Sequence, residues 1–133
     1  MSTRATFLRL FLVEDNALIR QTLIEHLEDL LPAEVIAWDH SEDGSVQWLQ
    51  ANADHWDVAI VDMFLTQGSG LGIVEQLARR RPYQKVVVLS NYATEAMRER
   101  CVSLGVDAVF DKSQELEEFT VYLLAEADEP RHR

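Results

Sequence analysis

This sequence predicts a doubly wound α/β fold around a five-stranded parallel sheet, and three observations carry the prediction. Five short apolar runs rich in β-branched and aromatic residues alternate with longer segments of helical spacing. The runs are apolar throughout, as strands are when helices cover both faces of a parallel sheet. Polar and charged residues stand immediately after the runs, where an open α/β sheet places its ligand crevice.

The elements follow in order. The first run, residues 7–13, leads to Asn16 as a candidate N-cap and to a stripe of Ile19, Leu23, Leu27 and Leu30 that Pro32 closes. The second run, 35–38, precedes Val46, Leu49 and Ala53, and the third, 58–61, precedes Leu71, Val74 and Leu77. Arginines 79–81 read as the C-terminus of that third helix, where cations suit the dipole, with Pro82 as its stop. The fourth run, 85–89, precedes Met97, Cys101 and Leu104, and the fifth, 108–110, precedes Leu116, Phe119 and Leu123. No internal repeat, low-complexity segment or linker divides the chain, so 1–133 reads as one domain with a core of about 7–126 and a fraying tail over 127–133.

Composition excludes several functions. Twelve Lys and Arg against 23 Asp and Glu give a net charge of −11, which repels the phosphates of a nucleic acid. Cys101 is the sole cysteine, so no internal disulfide or cysteine-based zinc site forms, and its spacing makes it a core thiol. The apolar segment of the N-terminus is brief, interrupted by Arg9 and followed by acids, unlike a secretion signal. No stretch approaches the roughly 20 apolar residues of a membrane span. A soluble, cytoplasmic protein is expected.

The strand ends carry the chemistry. The first run ends in Glu14 and Asp15, the third in Asp62, the fourth in Ser90 and Asn91, and the fifth in Asp111 and Lys112. Taken singly these residues have plain roles: acids at a helix N-terminus, a capping serine, a solvated lysine. Taken together, three carboxylates converging on one crevice repel by roughly 4 kcal/mol per pair at 4 Å and an effective dielectric of 20, which calls for a cation. Oxygen ligands without His or Cys suit a hard ion, magnesium or manganese, that keeps waters and accepts phosphate oxygens. Lys112 and Ser90 are groups that stabilise a transferring phosphoryl group, and Asp62 is then a candidate nucleophile. The four histidines, His26, His40, His55 and His132, show no ligand spacing, and Trp38, Trp48 and Trp56 read as packing residues. The Gly-rich stretch 68–70 lacks a following Gly-Lys-Ser/Thr and reads as a flexible loop at the rim.

With all five polar positions in order, "GSGLGIVEQL" after Asp62 and "GVDAVFDKS" around Lys112, the chain resembles the receiver domain of two-component response regulators, from about Phe7 to Glu126. The resemblance implies a flavodoxin-like sheet of order 2-1-3-4-5. It also implies that Asp62 takes a phosphoryl group from a sensor histidine kinase or a histidine phosphotransfer protein. Asp15, Asp62 and the backbone carbonyl of Phe64 would hold magnesium, with Glu14 acting partly through water. Such a domain is a signalling switch that catalyses only its own phosphorylation and slow dephosphorylation.

It further implies that Ser90 moves toward the phosphate, carrying the following loop and helix with it. Output would then run through the face of the fourth helix, fifth strand and fifth helix, where Tyr92, Val109, Phe110 and Tyr122 are candidates. A separate output protein or a phosphorylation-dependent homodimer could use that face. Four positions depart from the family pattern: Ser113 replaces the usual proline after Lys112, Val109 stands where the switch aromatic lies, and Phe64 and Tyr92 stand where polar residues often tune dephosphorylation.

Rival readings are a phosphate sink or relay, a phosphorylation-independent docking module, and a haloacid-dehalogenase-like phosphohydrolase. The last wants a second Asp two residues after the first, where Phe64 stands. Since the chain ends soon after the fifth helix, a stand-alone receiver is expected.

Overall fold

The computed structural model describes residues 7–131, which leaves the basic N-terminal lead and His132 outside it. The elements alternate: β1 (Leu8–Val13), α1 (Ala17–Leu30), β2 (Ala33–Asp39), α2 (Glu42–Ala51), β3 (Val58–Val61), α3 (Gly70–Gln76), β4 (Lys85–Ser90), α4 (Glu95–Ser103), β5 (Ala108–Asp111) and α5 (Leu116–Asp128). All pairings are parallel and the order is β2-β1-β3-β4-β5, the doubly wound flavodoxin-like sheet expected.

Successive strand residues face opposite sides of the sheet and build two cores. On one side Phe11, Val13, Ala59, Val61, Val86 and Val88 meet Leu49 of α2, Ile73 of α3 and Cys101 of α4. On the other, Leu10, Leu12, Val58, Ile60, Val87 and Leu89 meet Leu23 and Leu27 of α1 and Phe119 and Leu123 of α5. Burial on both faces is what the continuous apolar runs encode. Cys101 is a buried thiol, as its spacing predicted, and burial pushes its pKa up.

Four of the five helix starts are set by side chains. Asn16 accepts from the Ile19 amide at 2.9 Å, Ser41 caps α2 through Gly44, Ser69 caps α3 through Leu71, and Thr94 caps α4 through Met97. Ser69 and Gly70 are thus the cap and first residue of α3, so the stretch read as a flexible loop is a helix start.

Several expectations are corrected. Of the α1 stripe only Leu23 and Leu27 are buried; Ile19 and Leu30, near the helix ends, are exposed. Ala53 lies beyond α2 and is exposed. Arginines 79–81 lie past the C-cap Leu77, outside α3: Arg80 donates to the carbonyls of Leu77, Gln84 and Gly105 and pairs with Asp107, and Arg81 pairs with Asp54. Direct acceptors outcompete a helix dipole that falls off within one turn.

Trp56 is buried and Trp48 stacks on Phe11, but Trp38 on edge strand β2 is 49% exposed, with the Arg20 guanidinium 3.8 Å from its ring centre. The tail expected from 127 overlaps the end of α5. α5 runs to Asp128, and Arg131 pairs with Glu126 at 3.0 Å and donates to the Tyr83 carbonyl.

Candidate functional site

The chain leaves β1 toward β2 on one side, and β3 lies on the other, so the crevice at the carboxyl ends opens between β1 and β3. Glu14 and Asp15 follow β1 directly, and Asp62 follows β3, its amide bonded to the Val13 carbonyl at 3.2 Å. Ser90 ends β4, and the Lys112 amide bonds its carbonyl at 3.1 Å. Parallel register therefore brings together residues up to 98 positions apart.

Asp62 is buried and fully engaged by donors. Its Oδ1 accepts from the fully buried Ser90 hydroxyl at 2.8 Å and from the Phe64 amide at 3.1 Å. Its Oδ2 accepts from Lys112 Nζ at 2.9 Å. Lys112 also pairs with Glu14, a carboxylate only 2% exposed whose second oxygen accepts from the Asn16 amide. Burial disfavours the Lys112 ammonium, but the Glu14 and Asp62 carboxylates outweigh it, so its pKa lies above the usual lysine value.

Asp15 accepts from the hydroxyl and the amide of Thr66 at 2.6 and 2.7 Å. The Thr66 hydroxyl is the main reason its pKa lies below the usual aspartate value. Glu14, Asp15 and Asp62 each offer an oxygen within 4.8 Å of the others. Three carboxylates against one ammonium leave a negative excess, and an all-oxygen donor set fits a hard divalent cation.

Residues 10–123 match the family model of the response regulator receiver domain. The chain belongs to that family. Among curated relatives, the photosynthetic apparatus regulatory protein RegA is 34% identical over 70 residues in Rhodobacter capsulatus and 37% over 70 residues in Cereibacter sphaeroides. Each match covers 53% of this chain and 38% of the relative.

A Burkholderia pseudomallei response regulator, solved with a phosphorylated aspartic acid, calcium ion and citrate, is 25% identical at a TM-score of 0.74, covering 90% of this chain and 68% of that one. A two-component response regulator of the LuxR family from Aurantimonas shares the fold at a TM-score of 0.80 and 15% identity, covering 92% of this chain and 86% of that one.

In this receiver the five residues expected at the strand ends do meet. Of the residues expected on the output face, Ser90 is buried against Asp62 and the other four lie in different packing environments. Tyr92 is 81% exposed beside the crevice; Val109 packs toward the α2, α3 and α4 side; Phe110 and Tyr122 pack together toward α5, with ring centres 5.7 Å apart. Burial, then Glu126 and Asp107, push the Tyr122 hydroxyl up to about 12.

The edge between α4 and α5 is bridged instead by Arg98, which pairs with Glu115 at 2.6 Å and donates to the Val109 carbonyl at 3.1 Å. Ser113 keeps the turn that proline would shape, because its amide and hydroxyl both donate to Asp111 Oδ1. The other oxygen of Asp111 holds the Ala93 amide, next to Tyr92 with φ of 55°, a left-handed conformation that is uncommon for a bulky side chain.

Sequence reasoning missed several supports. Arg20 donates to the Glu14 carbonyl at 2.8 Å, and its place one turn after Asn16 on α1 was a readable signal. Gly70 lies so close that a Cβ would stand 2.3 Å from the Asp62 carbonyl oxygen, which the Gly-Ser-Gly run signalled in part. Thr66 had no signal, because its partner lies 51 residues away.

Proposed function

We propose that this receiver accepts a phosphoryl group on Asp62 from the phosphohistidine of a sensor kinase or histidine phosphotransfer protein, and passes the change to a protein partner. The observation that carries this is the convergence on Asp62 of the Ser90 hydroxyl and the Lys112 ammonium beside two further carboxylates. An Asp62 oxygen attacks phosphorus, the P–N bond breaks, and its electron pair leaves with the imidazole. Lys112 exchanges carboxylate for phosphoryl oxygens without leaving the crevice, and Ser90 turns its hydroxyl to the new oxygens. Glu14, Asp15, Asp62 and the Phe64 carbonyl would hold a magnesium or manganese ion, which supplies charge neutralisation on the phosphoryl oxygens.

The shift of Ser90 acts on the β4–α4 loop, where Tyr92 holds its left-handed conformation and Asp111 ties Ala93 to the start of the Lys112 loop. A charge of about −1.5 to −2 placed on Asp62 gives the differential interaction that such a loop needs to change its population. Phe64 and Tyr92, 60% and 81% exposed at the crevice, are bulky side chains without a carboxylate or amide to orient a hydrolytic water, and they shield the acyl phosphate from it. This favours a signalling receiver over a fast-draining phosphate sink.

The test is intact-mass spectrometry after incubation with acetyl phosphate, with and without magnesium, on the wild type and Asp62→Asn. One phosphoryl adduct that requires both magnesium and Asp62 is expected. No adduct on a folded protein would leave a docking module as the better reading.

A further inference from the structure

The three carboxylates of the cation site are held in different ways. Glu14 and Asp62 share Lys112, and each has further donors, the Asn16 amide for Glu14 and the Ser90 hydroxyl and Phe64 amide for Asp62. Asp15 is half-exposed on the loop after β1, and among the described residues the donors that reach it across the fold come from one residue, Thr66, both to Oδ2.

Thr66 itself is fixed in place. On the far side of the β3–α3 loop, the Glu42 amide donates to the Gln67 carbonyl at 3.0 Å, and the Ser69 amide donates to the Glu42 carboxylate at 2.8 Å. Gly68, at φ of 91°, turns the chain between these anchors. The hydroxyl and amide of Thr66 are thereby presented together to Asp15 by a loop whose next residues, Gln67 and Ser69, are tied to Glu42.

We propose that Thr66 is a positioning residue for the divalent cation. By holding the Asp15 carboxylate toward Glu14 and Asp62, it sets the affinity of the site. The inference rests on the cation reading given above. A carboxylate on a solvent-facing loop samples several rotamers, and a cation that needs one of them must order it on binding. A donor pair that fixes the carboxylate beforehand removes that cost, which is how partners outside the ligand set tune metal sites generally.

Electron paramagnetic resonance titration with Mn2+ tests this on the unphosphorylated protein, with urea unfolding in EDTA to check the fold of each variant. Thr66→Val, which keeps the amide and shape but loses the hydroxyl, is expected to raise the Mn2+ dissociation constant about tenfold, whereas Thr66→Ser stays within about twofold of wild type. If valine lowers the urea midpoint, Thr66→Ala, which also lacks the hydroxyl, carries the same expectation. Equal affinity in wild type and the hydroxyl-free variants overturns the role of Thr66, and so does a serine variant as weak as valine. A wild type that takes no Mn2+ overturns the cation reading itself, and the inference falls with it.

Discussion

At the amino ends of the strands three carboxylates meet three guanidinium groups: Asp57 with Arg9, Asp107 with Arg80, and Asp54 with Arg81. At the carboxyl ends three carboxylates meet one ammonium, that of Lys112. Both ends bury charge, yet only the second leaves a negative excess. Asp57 is fully buried and accepts from the Arg9 amide, Nε and Nη2, while the Asp57 amide donates back to the Arg9 carbonyl. A pair satisfied in this way staples β1 to β3. The difference teaches that charge balance, more than burial of acids, separates a site from a staple in this fold.

Breaking the staple should give the largest effect on the fold. Asp57→Ala leaves Arg9 without its buried partner and is expected to cost about 3 kcal/mol in urea unfolding, while the folded fraction still takes its phosphoryl adduct. A loss of adduct in folded Asp57→Ala would break the division between the two ends.

Next come the aromatics at the rim of the charged end. Phe64→Asn and Tyr92→Glu are each expected to change the lifetime of the phosphoryl group severalfold, with little change in stability, as measured by decay of the mass adduct. Identical decay in both variants would remove the aromatic rim from the account.

The smallest effect sharpens the rule. Asp111 also lies at the carboxyl ends, but the Ser113 hydroxyl, then the Ala93 and Ser113 amides, satisfy it and hold its pKa at about 2 against an ordinary 3.8. A depressed carboxylate pKa stabilises the fold above the unfolded value, and that contribution is lost as pH falls through the folded one. Asp111→Asn should therefore flatten the decline in stability between about pH 4 and pH 2. An unchanged acid slope would contradict the assignment.

Much of this was legible in the sequence, for reasons that differ by residue. The sheet was readable because a strand buried on both faces has no polar position to hide, as Val58 to Val61 illustrate. Glu14, Asp62, Ser90 and Lys112 were readable because a charge or hydroxyl directly after such a strand falls at the crevice by topology alone. What stayed illegible depends on contacts between distant loops or on where a helix loses its cover.

Thr66 meets Asp15 only through the fold, and Arg80 reaches Asp107 across 27 residues, so neither leaves a local pattern. Trp38 misled because an edge strand exposes a face that its composition does not reveal. Val109 and Phe110 are neighbours in β5, but strand alternation sends them to opposite faces of the sheet, while Tyr92 stands exposed in the β4–α4 loop.

The central contrast is tested most directly by urea unfolding of the wild type and Asp62→Asn, each in EDTA and in excess magnesium. In EDTA Asp62→Asn should be at least as stable as the wild type, since it relieves repulsion at the crevice while Lys112 keeps Glu14. Magnesium at a hundred times its dissociation constant should stabilise the wild type by about 2.7 kcal/mol and the variant far less. An Asp62→Asn variant that loses about 3 kcal/mol in EDTA, as a broken buried pair does, would contradict the account by making Asp62 a staple like Asp57.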